Sequence, residues 1–455
     1  MTDTDSATAR LVACVHARYA PRDREAAARV LLDTMAVGIG AFAHEPLQIR
    51  ALASLFAGGA SGGPATALGF RSGLPPALAG AANAIATHAI DYDDTYMEGG
   101  VKTHISAVVV PAALAMAEAV DASGLALLDA IVAGFETEAR LGHMVTPAMV
   151  KRWHPTGTLG PIGAAAAAAR LMELTPEQTE QALGIAADAA AGTRVCLAQG
   201  DATKSLHAAW AVRSGIEAAQ FVAAGTPGPR RFFETADGFF SSYVGGQADG
   251  GWGPAGARIH DTSVKFYPAM HALHAAIAAL IEIAREHPVR KAAEIDSFVV
   301  VQSTTHARFG TARDPQTTLG ARLSLPYTAA VTLLDGACGF AQYARARLFE
   351  PELRALMGKL RIEASDALEK SHPDRIASEV IVRFADGSEI RRFAADPKGT
   401  PGDPPDFAEV AAKSRDLLMP VGGDAASARF IAAIGALSRD RMSARALAAI
   451  MPQPA

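Results

Sequence analysis

The sequence predicts a mainly α protein, with a large all-helical domain and a smaller α+β domain. Three observations lead there. At 455 residues the chain exceeds the roughly 250–300 residues that one core usually serves, so two domains are expected. Half of the residues are hydrophobic and 20% are charged, which is ample for large buried cores. The apolar period is helical from the start to residue 224, strand-like in places between 295 and 393, and helical again at the end.

Taken in order, helices are expected over residues 6–19, 22–41, 47–57, 75–88, 108–119, 126–142, 158–172, 176–191, 203–224 and 230–234. Thr175-Pro-Glu-Gln reads as a capped start with proline in the first turn, and Gly225 as a stop. The alanines at 164–169 fall on every face of their helix, which calls for close packing between neighbouring helices. Residues 245–256 are Gly-rich and read as a domain connection. Residues 295–303 and 380–384 then alternate like strands, and Ala385-Asp-Gly-Ser388 offers a hairpin turn into 389–393. Residues 360–363 give another strand, and helices at 269–286 and 327–334 lie among them. The reading is a helical domain over 1–255, an α+β domain over 260–395 and a proline-rich linker over 396–406 (DPKGTPGDPPD). Residues 407–451 are helical again.

Composition narrows the function. The net charge is -5 and no basic run occurs, so no nucleic-acid partner is expected. The start, Met1-Thr-Asp-Thr-Asp-Ser6, lacks the layout of a secretory signal. The apolar stretches 107–120 and 162–172 are too short or too Ala-rich to span a bilayer, so no membrane partner is expected either. Cys14, Cys196 and Cys338 are odd in number and far apart, which excludes a local disulfide framework, a Cys-x-x-Cys zinc site or an iron–sulfur ligand run. A cytoplasmic location fits best.

The densest chemistry lies in His88-Ala-Ile-Asp-Tyr-Asp-Asp-Thr-Tyr96, followed by Lys102-Thr-His-Ile-Ser106. His88, Asp91 and Thr95 are spaced i, i+3, i+7, so a continuing helix would place them on one face. Carboxylates and imidazoles this close beside apolar packing have their pKa values moved by burial and by each other, as proton-transfer sites require. Four further stretches accompany them: Trp153-His-Pro-Thr-Gly-Thr158, Thr203-Lys-Ser-Leu-His-Ala208, Lys265-Phe-Tyr-Pro268 with His274, and Ser324-Leu-Pro-Tyr-Thr328. In that order the five motifs resemble the MmgE/PrpD family of 2-methylcitrate dehydratases, cis-aconitate decarboxylases and iminodisuccinate epimerases. The resemblance covers nearly the whole chain. It implies that residues 407–455 complete the helical domain, that the active site lies between the two domains, that no metal or organic cofactor takes part, and that the chain forms a homodimer. Two departures stand out. The loop from Thr95 to His104 is about three residues longer than in the decarboxylase pattern, carrying Glu98, Gly99, Gly100 and Lys102, and Ala269-Met270 replace a frequent cysteine.

Carried over residue by residue, the resemblance gives Asp91, His104, His154 and Tyr327 as catalytic, and Thr95, Lys204 and Lys265 as substrate-binding. Their chemistry suits those roles. The imidazoles of His104 and His154 titrate near neutrality. Asp91 is expected to hold His104 in one tautomer, leaving Asp93 and Asp94 as N–H acceptors or ion-pair partners. The ammonium groups of Lys204 and Lys265 suit two carboxylates of a polyacid and an enolate-like dianion. Thr95 offers a hydroxyl to a carboxylate. Tyr327 is either an acid toward a leaving hydroxyl or a buried tyrosine satisfied by backbone. His88, Asp91, Asp93, Asp94 and His104 contain enough donors for a metal, but their spacing matches no compact ligand signature. The expected function is a cofactor-independent dehydratase or decarboxylase acting on a small di- or tricarboxylic acid. Epimerisation of an iminodisuccinate-like acid is the alternative, and a non-catalytic helical binding protein the second.

Overall fold

The computed structural model describes residues 6–454 apart from 147, 247, 249, 373–374 and 440–441. The acidic start therefore lies outside the described residues. The chain forms two compact units: Met1–Arg194 with Ala202–Val264 and Pro405–Ala455, and Val195–Asp201 with Lys265–Pro404. The tail, Pro405–Ala455, is grouped with the first unit.

The first unit is built of helices, chiefly Ala7–His16, Pro21–His44, Pro46–Ala57, Pro76–Ala89, Ser106–Ala119, Gly124–Val145, Gly160–Leu171, Pro176–Asp188, Thr203–Ala223 and Phe407–Ala436. Local chemistry sets their ends. Ser6 caps the first by accepting from Ala9 N–H, and Thr175 with Gln178 forms a capping box. Gly225 follows the Thr203–Ala223 helix at φ +92°. All six alanines from Ala164 to Ala169 are fully buried, and the neighbouring helix comes so close that a Cβ on Gly215 would stand 2.5 Å from that of Ala164. Small side chains here allow backbone to approach backbone. Pro21–His44 and Phe407–Ala436 are long and apolar enough to cross a membrane by composition alone, but they pack against each other and the first is almost wholly buried.

Several expectations change. Residues 230–234 form turns rather than a helix. The helix expected over 158–172 is divided at Leu159 into Pro155–Thr158 and Gly160–Leu171, because Pro161 starts a new helix. The Gly-rich run at 245–256, of which 247 and 249 lie outside the described residues, belongs to the first unit. There Arg140 donates to the carbonyls of Trp252, Pro254 and Gly256 at 2.9, 2.6 and 2.7 Å. The tail helix kinks at Gly423 (φ +75°) and is followed by Ala444–Ala449.

Two short strands, β1 (Thr95–Tyr96) and β2 (Thr262–Ser263), pair antiparallel in the first unit. The second unit carries β3 (Ile295–Ser303), β4 (Leu360–Ser365), β5 (Ala377–Phe384) and β6 (Glu389–Ala395) in the order β4-β3-β5-β6. In this sheet β3 and β4 pair parallel, and β3–β5 and β5–β6 antiparallel. Gly387 turns the β5–β6 hairpin at φ +90°. The helix His274–Glu286 lays Ile277, Leu280 and Ile283 in one core with Phe298, Val300, Val380 and Val382 of the sheet.

Candidate active site

The Pro76–Ala89 helix stops one residue after His88, so the i, i+3, i+7 face does not form. Asp91 instead turns the chain at φ +52°, a left-handed conformation that aspartate tolerates better than most residues. Thr95 then enters β1. The turn folds three carboxylates back under the helix end.

Asp93 is the hub. Its Oδ2 lies 2.8 Å from His88 Nδ1 and 2.9 Å from His104 Nδ1. His104 Nδ1 is also 2.7 Å from the Asp94 carbonyl. Carboxylate and carbonyl oxygens only accept, so both Nδ1 atoms carry the proton. In the neutral ring of His104, Nε2 is then the basic nitrogen. Lys204 Nζ donates to His88 Nε2 at 3.0 Å and to Asp91 Oδ1 at 3.0 Å. The orienting role expected of Asp91 thus falls to Asp93, while Asp91 pairs with Lys204. The Lys204 ammonium is held by protein groups within the first unit.

The electrostatics follow. Burial and the Lys204 charge drive His88 down to about 3, so it stays neutral. Burial acts against the charge on Asp93, yet the two imidazoles hold its carboxyl well below the usual range. Lys204 offsets Asp91, which leaves Asp93 as the one uncompensated charge among these five groups. A proton taken by His104 balances it. The buried His154 ring is held neutral by burial and by Lys204, with Nδ1 2.9 Å from Nδ1 of His207.

Asp94 faces away from this chain. It accepts from the Ser106 amide at 3.3 Å and from the hydroxyls of Ser106 and Thr262. The long segment after Thr95 is a closed hairpin: Tyr96 N–H donates to Thr103 O at 2.8 Å, and Thr103 N–H returns the bond at 3.0 Å. Thr103 Oγ1 donates to the buried Glu138 Oε1 at 2.7 Å. Tyr96 O–H meets His143 Nε2 at 2.8 Å. His104 therefore follows a pinned residue, and the departure in loop length makes a firm support. The Thr95 hydroxyl is buried and has no partner among the described residues.

Tyr327 and Lys265 belong to the second unit. The Tyr327 hydroxyl donates to the Gln342 carbonyl at 2.7 Å, and burial pushes its pKa up. This is the arrangement of a tyrosine satisfied by backbone. Lys265 is buried.

A metal fits the triad poorly. Zinc with ligands at about 2.0–2.2 Å keeps tetrahedral donor atoms about 3.3 Å apart. The Nδ1 and Oδ2 atoms here stand 2.8 and 2.9 Å apart as proton donors and acceptor.

A stability prediction arises from the buried acids. Burial pushes Asp94 up to about 7 and Glu138 up to about 8, whereas the unfolded values lie near 3.9 and 4.3. Between the unfolded and folded values the native state holds more protons than the unfolded chain, so stability falls as pH rises. Below about 6.5 the suppressed histidines His88 and His154 act in the opposite sense, because the unfolded chain then binds their protons. The loss is accordingly exposed between about pH 6.5 and 8. The wild-type unfolding midpoint drops across that window, and Glu138→Gln, a mimic of the protonated acid, drops less. Equal or larger losses in the variant would show that Glu138 is already ionised.

The comparisons with known proteins agree with one another. The model of the MmgE/PrpD N-terminal domain matches residues 7–250, and that of the MmgE/PrpD C-terminal domain matches residues 267–439. The chain is 30% identical to the human cis-aconitate decarboxylase over 337 residues, covering 69% of this chain and 67% of that one. The mouse cis-aconitate decarboxylase is 28% identical over 376 residues, 79% and 75% of the two chains. That of Aspergillus terreus is 25% identical over 366 residues, 74% of each.

Proposed function

This chain belongs to the MmgE/PrpD family, and from that premise we propose that it is a cofactor-independent lyase of a small di- or tricarboxylic acid. A cis-aconitate-like compound losing carbon dioxide is the first choice, since relatives across most of the chain are named cis-aconitate decarboxylases. The observation that supports the chemistry is the single Asp93 oxygen shared by two Nδ1–H imidazoles.

His104 carries the proton. In a decarboxylation the bond to the departing carboxylate breaks, its electron pair stays on the carbon skeleton, and the resulting carbanion takes a proton from His104 Nε2. One solvent proton is consumed per turnover. In a dehydration the same nitrogen, starting neutral, removes a proton α to a carboxylate; the electron pair forms the alkene and expels the β-hydroxyl, which takes that proton from the imidazolium and leaves as water, so His104 is neutral again. Either way the imidazolium is stabilised by the Asp93 carboxylate at Nδ1. Lys204 keeps His88 neutral and Asp91 in place. Thr95 and Lys265 are assigned to substrate carboxylates, His154 to a neutral wall beside His88, and Tyr327 to no step.

The test is incubation with a panel of C4–C7 polyacids in deuterated water containing EDTA, read by proton NMR. The reading expects net conversion of one acid, with loss of carbon dioxide or a new alkene proton, unaffected by chelation. Exchange without conversion would replace the lyase by an epimerase. A panel without exchange or conversion would favour a binding protein, and loss of activity restored by a divalent ion would revive a metal.

A further inference from the structure

The turn that carries Asp91 and Asp93 rests on a buried cation that the site chemistry does not use. Lys413 lies on the Phe407–Ala436 helix, more than three hundred residues along the chain from the turn. Its side chain is only 3% exposed, and its ammonium pairs with Asp33 of the Pro21–His44 helix, whose side chain is 2% exposed, at 2.7 Å. The same Nζ donates to the Tyr92 carbonyl at 3.0 Å and stands 3.9 Å over the centre of the Tyr92 ring. Tyr92 sits between Asp91, which pairs with Lys204, and Asp93, which holds both imidazoles. We propose that Lys413 is a positioning residue: through the Tyr92 carbonyl and ring it fixes the left-handed turn at Asp91, and so sets the Asp93 oxygen against His88 and His104.

Three features argue against a purely structural ion pair. A pair needed only to join two helices can be replaced by apolar side chains with little loss, because desolvating both charges cancels much of their attraction. Here the ammonium reaches past Asp33 to a backbone carbonyl in a turn that costs about 1–2 kcal/mol to hold in the left-handed region. The ring of Tyr92 lies under the same charge, a contact strengthened when both partners are desolvated. Backbone and side chain of one residue are therefore clamped by one head group. The fields also agree. Asp93 opposes ionisation of Asp33, and Lys413 offsets that carboxylate.

This inference rests on the proposed proton-transfer site, so its test carries a readout that does not need turnover. The variant is Asp33→Asn/Lys413→Met in the full chain, which removes both charges together. Nitrogen-15 NMR of labelled histidines reads the tautomers, and steady-state kinetics on the acid that the wild type converts reads kcat and KM separately. In the wild type the His88 and His104 Nδ1 protons give slowly exchanging downfield signals. In the folded double variant those signals are lost or exchange rapidly, and kcat falls by about 10- to 100-fold, as expected when a catalytic group is misplaced by about 1 Å, while KM stays within about threefold. A folded variant with wild-type histidine signals and kcat within threefold overturns the proposal. Should the double variant not fold, Lys413→Arg decides, since it keeps the charge, the Asp33 pair and a donor for the Tyr92 carbonyl. It retains the histidine signals and kcat within threefold of wild type, and a larger loss in folded protein overturns the proposal. If the wild type converts no acid, the proposed function fails, whereas the histidine signals still decide for or against Lys413.

Discussion

His104→Ala lowers kcat by about 10²–10⁴-fold, the usual contribution of a positioned general acid or base, and leaves the helical unit folded. His104 stands just outside the Ser106–Ala119 helix and buries no large apolar surface, and the hairpin before it is closed by the Tyr96–Thr103 bonds and the Thr103–Glu138 bond. Removing the ring deletes the nitrogen that moves the proton but not the support beneath it. KM changes little, because an imidazole that acts mainly in the transition state adds little to ground-state binding. Steady-state kinetics beside a thermal melt checks this. A folded variant within threefold of wild-type kcat would pass the role to another group.

Asp93→Asn has an effect of similar or greater size, up to about 10⁴-fold in kcat, the scale on which an enzyme suffers when the carboxylate orienting its histidine is neutralised. The change is isosteric, so the packing survives, and an amide oxygen in the place of Oδ2 still accepts from both Nδ1–H groups. It carries no charge, however, so the imidazolium that forms on His104 loses its counter-charge. The variant is also less stable at neutral pH. Asp93 has a folded pKa held below the unfolded value, so it contributes stability that is present above about pH 4 and lost as pH falls through the folded value. The asparagine variant loses that contribution and becomes less sensitive to acid than the wild type. Kinetics with unfolding midpoints at pH 7 and pH 3.5 read both effects. Normal kcat in the folded variant would show that the His104 imidazolium does not depend on the Asp93 charge.

The helical pattern was legible from its apolar period and, in places, from punctuation such as the capped start at Thr175 and Pro176; Ser6 and Ser324 also cap their helices, and Pro21 and Pro46 stand in first turns. Strand β3 was legible in the same way, from its alternation. The end of the helix after His88 was not, since His88, Asp91 and Thr95 keep a helical spacing and only the left-handed backbone at Asp91 reveals the turn. For the same reason Asp91 looked like the partner of His104. A spacing rule cannot see that a turn brings Asp93 under both rings, although a His–Asp separation of five residues at a helix end was a usable signal. Lys413 gave none, because its partners Asp33 and Tyr92 lie hundreds of residues away and meet it only once the tail returns to the helical unit.

The most direct test of His104 as the proton-bearing group is deuterium incorporation during turnover in deuterated water, compared between the wild type and His104→Ala on the same acid. In the wild type, decarboxylation places one solvent deuterium on the product carbon that lost its carboxylate or on its allylic partner, and His104→Ala forms that labelled product at least 100-fold more slowly. Labelled product appearing at the wild-type rate in folded His104→Ala would contradict the account.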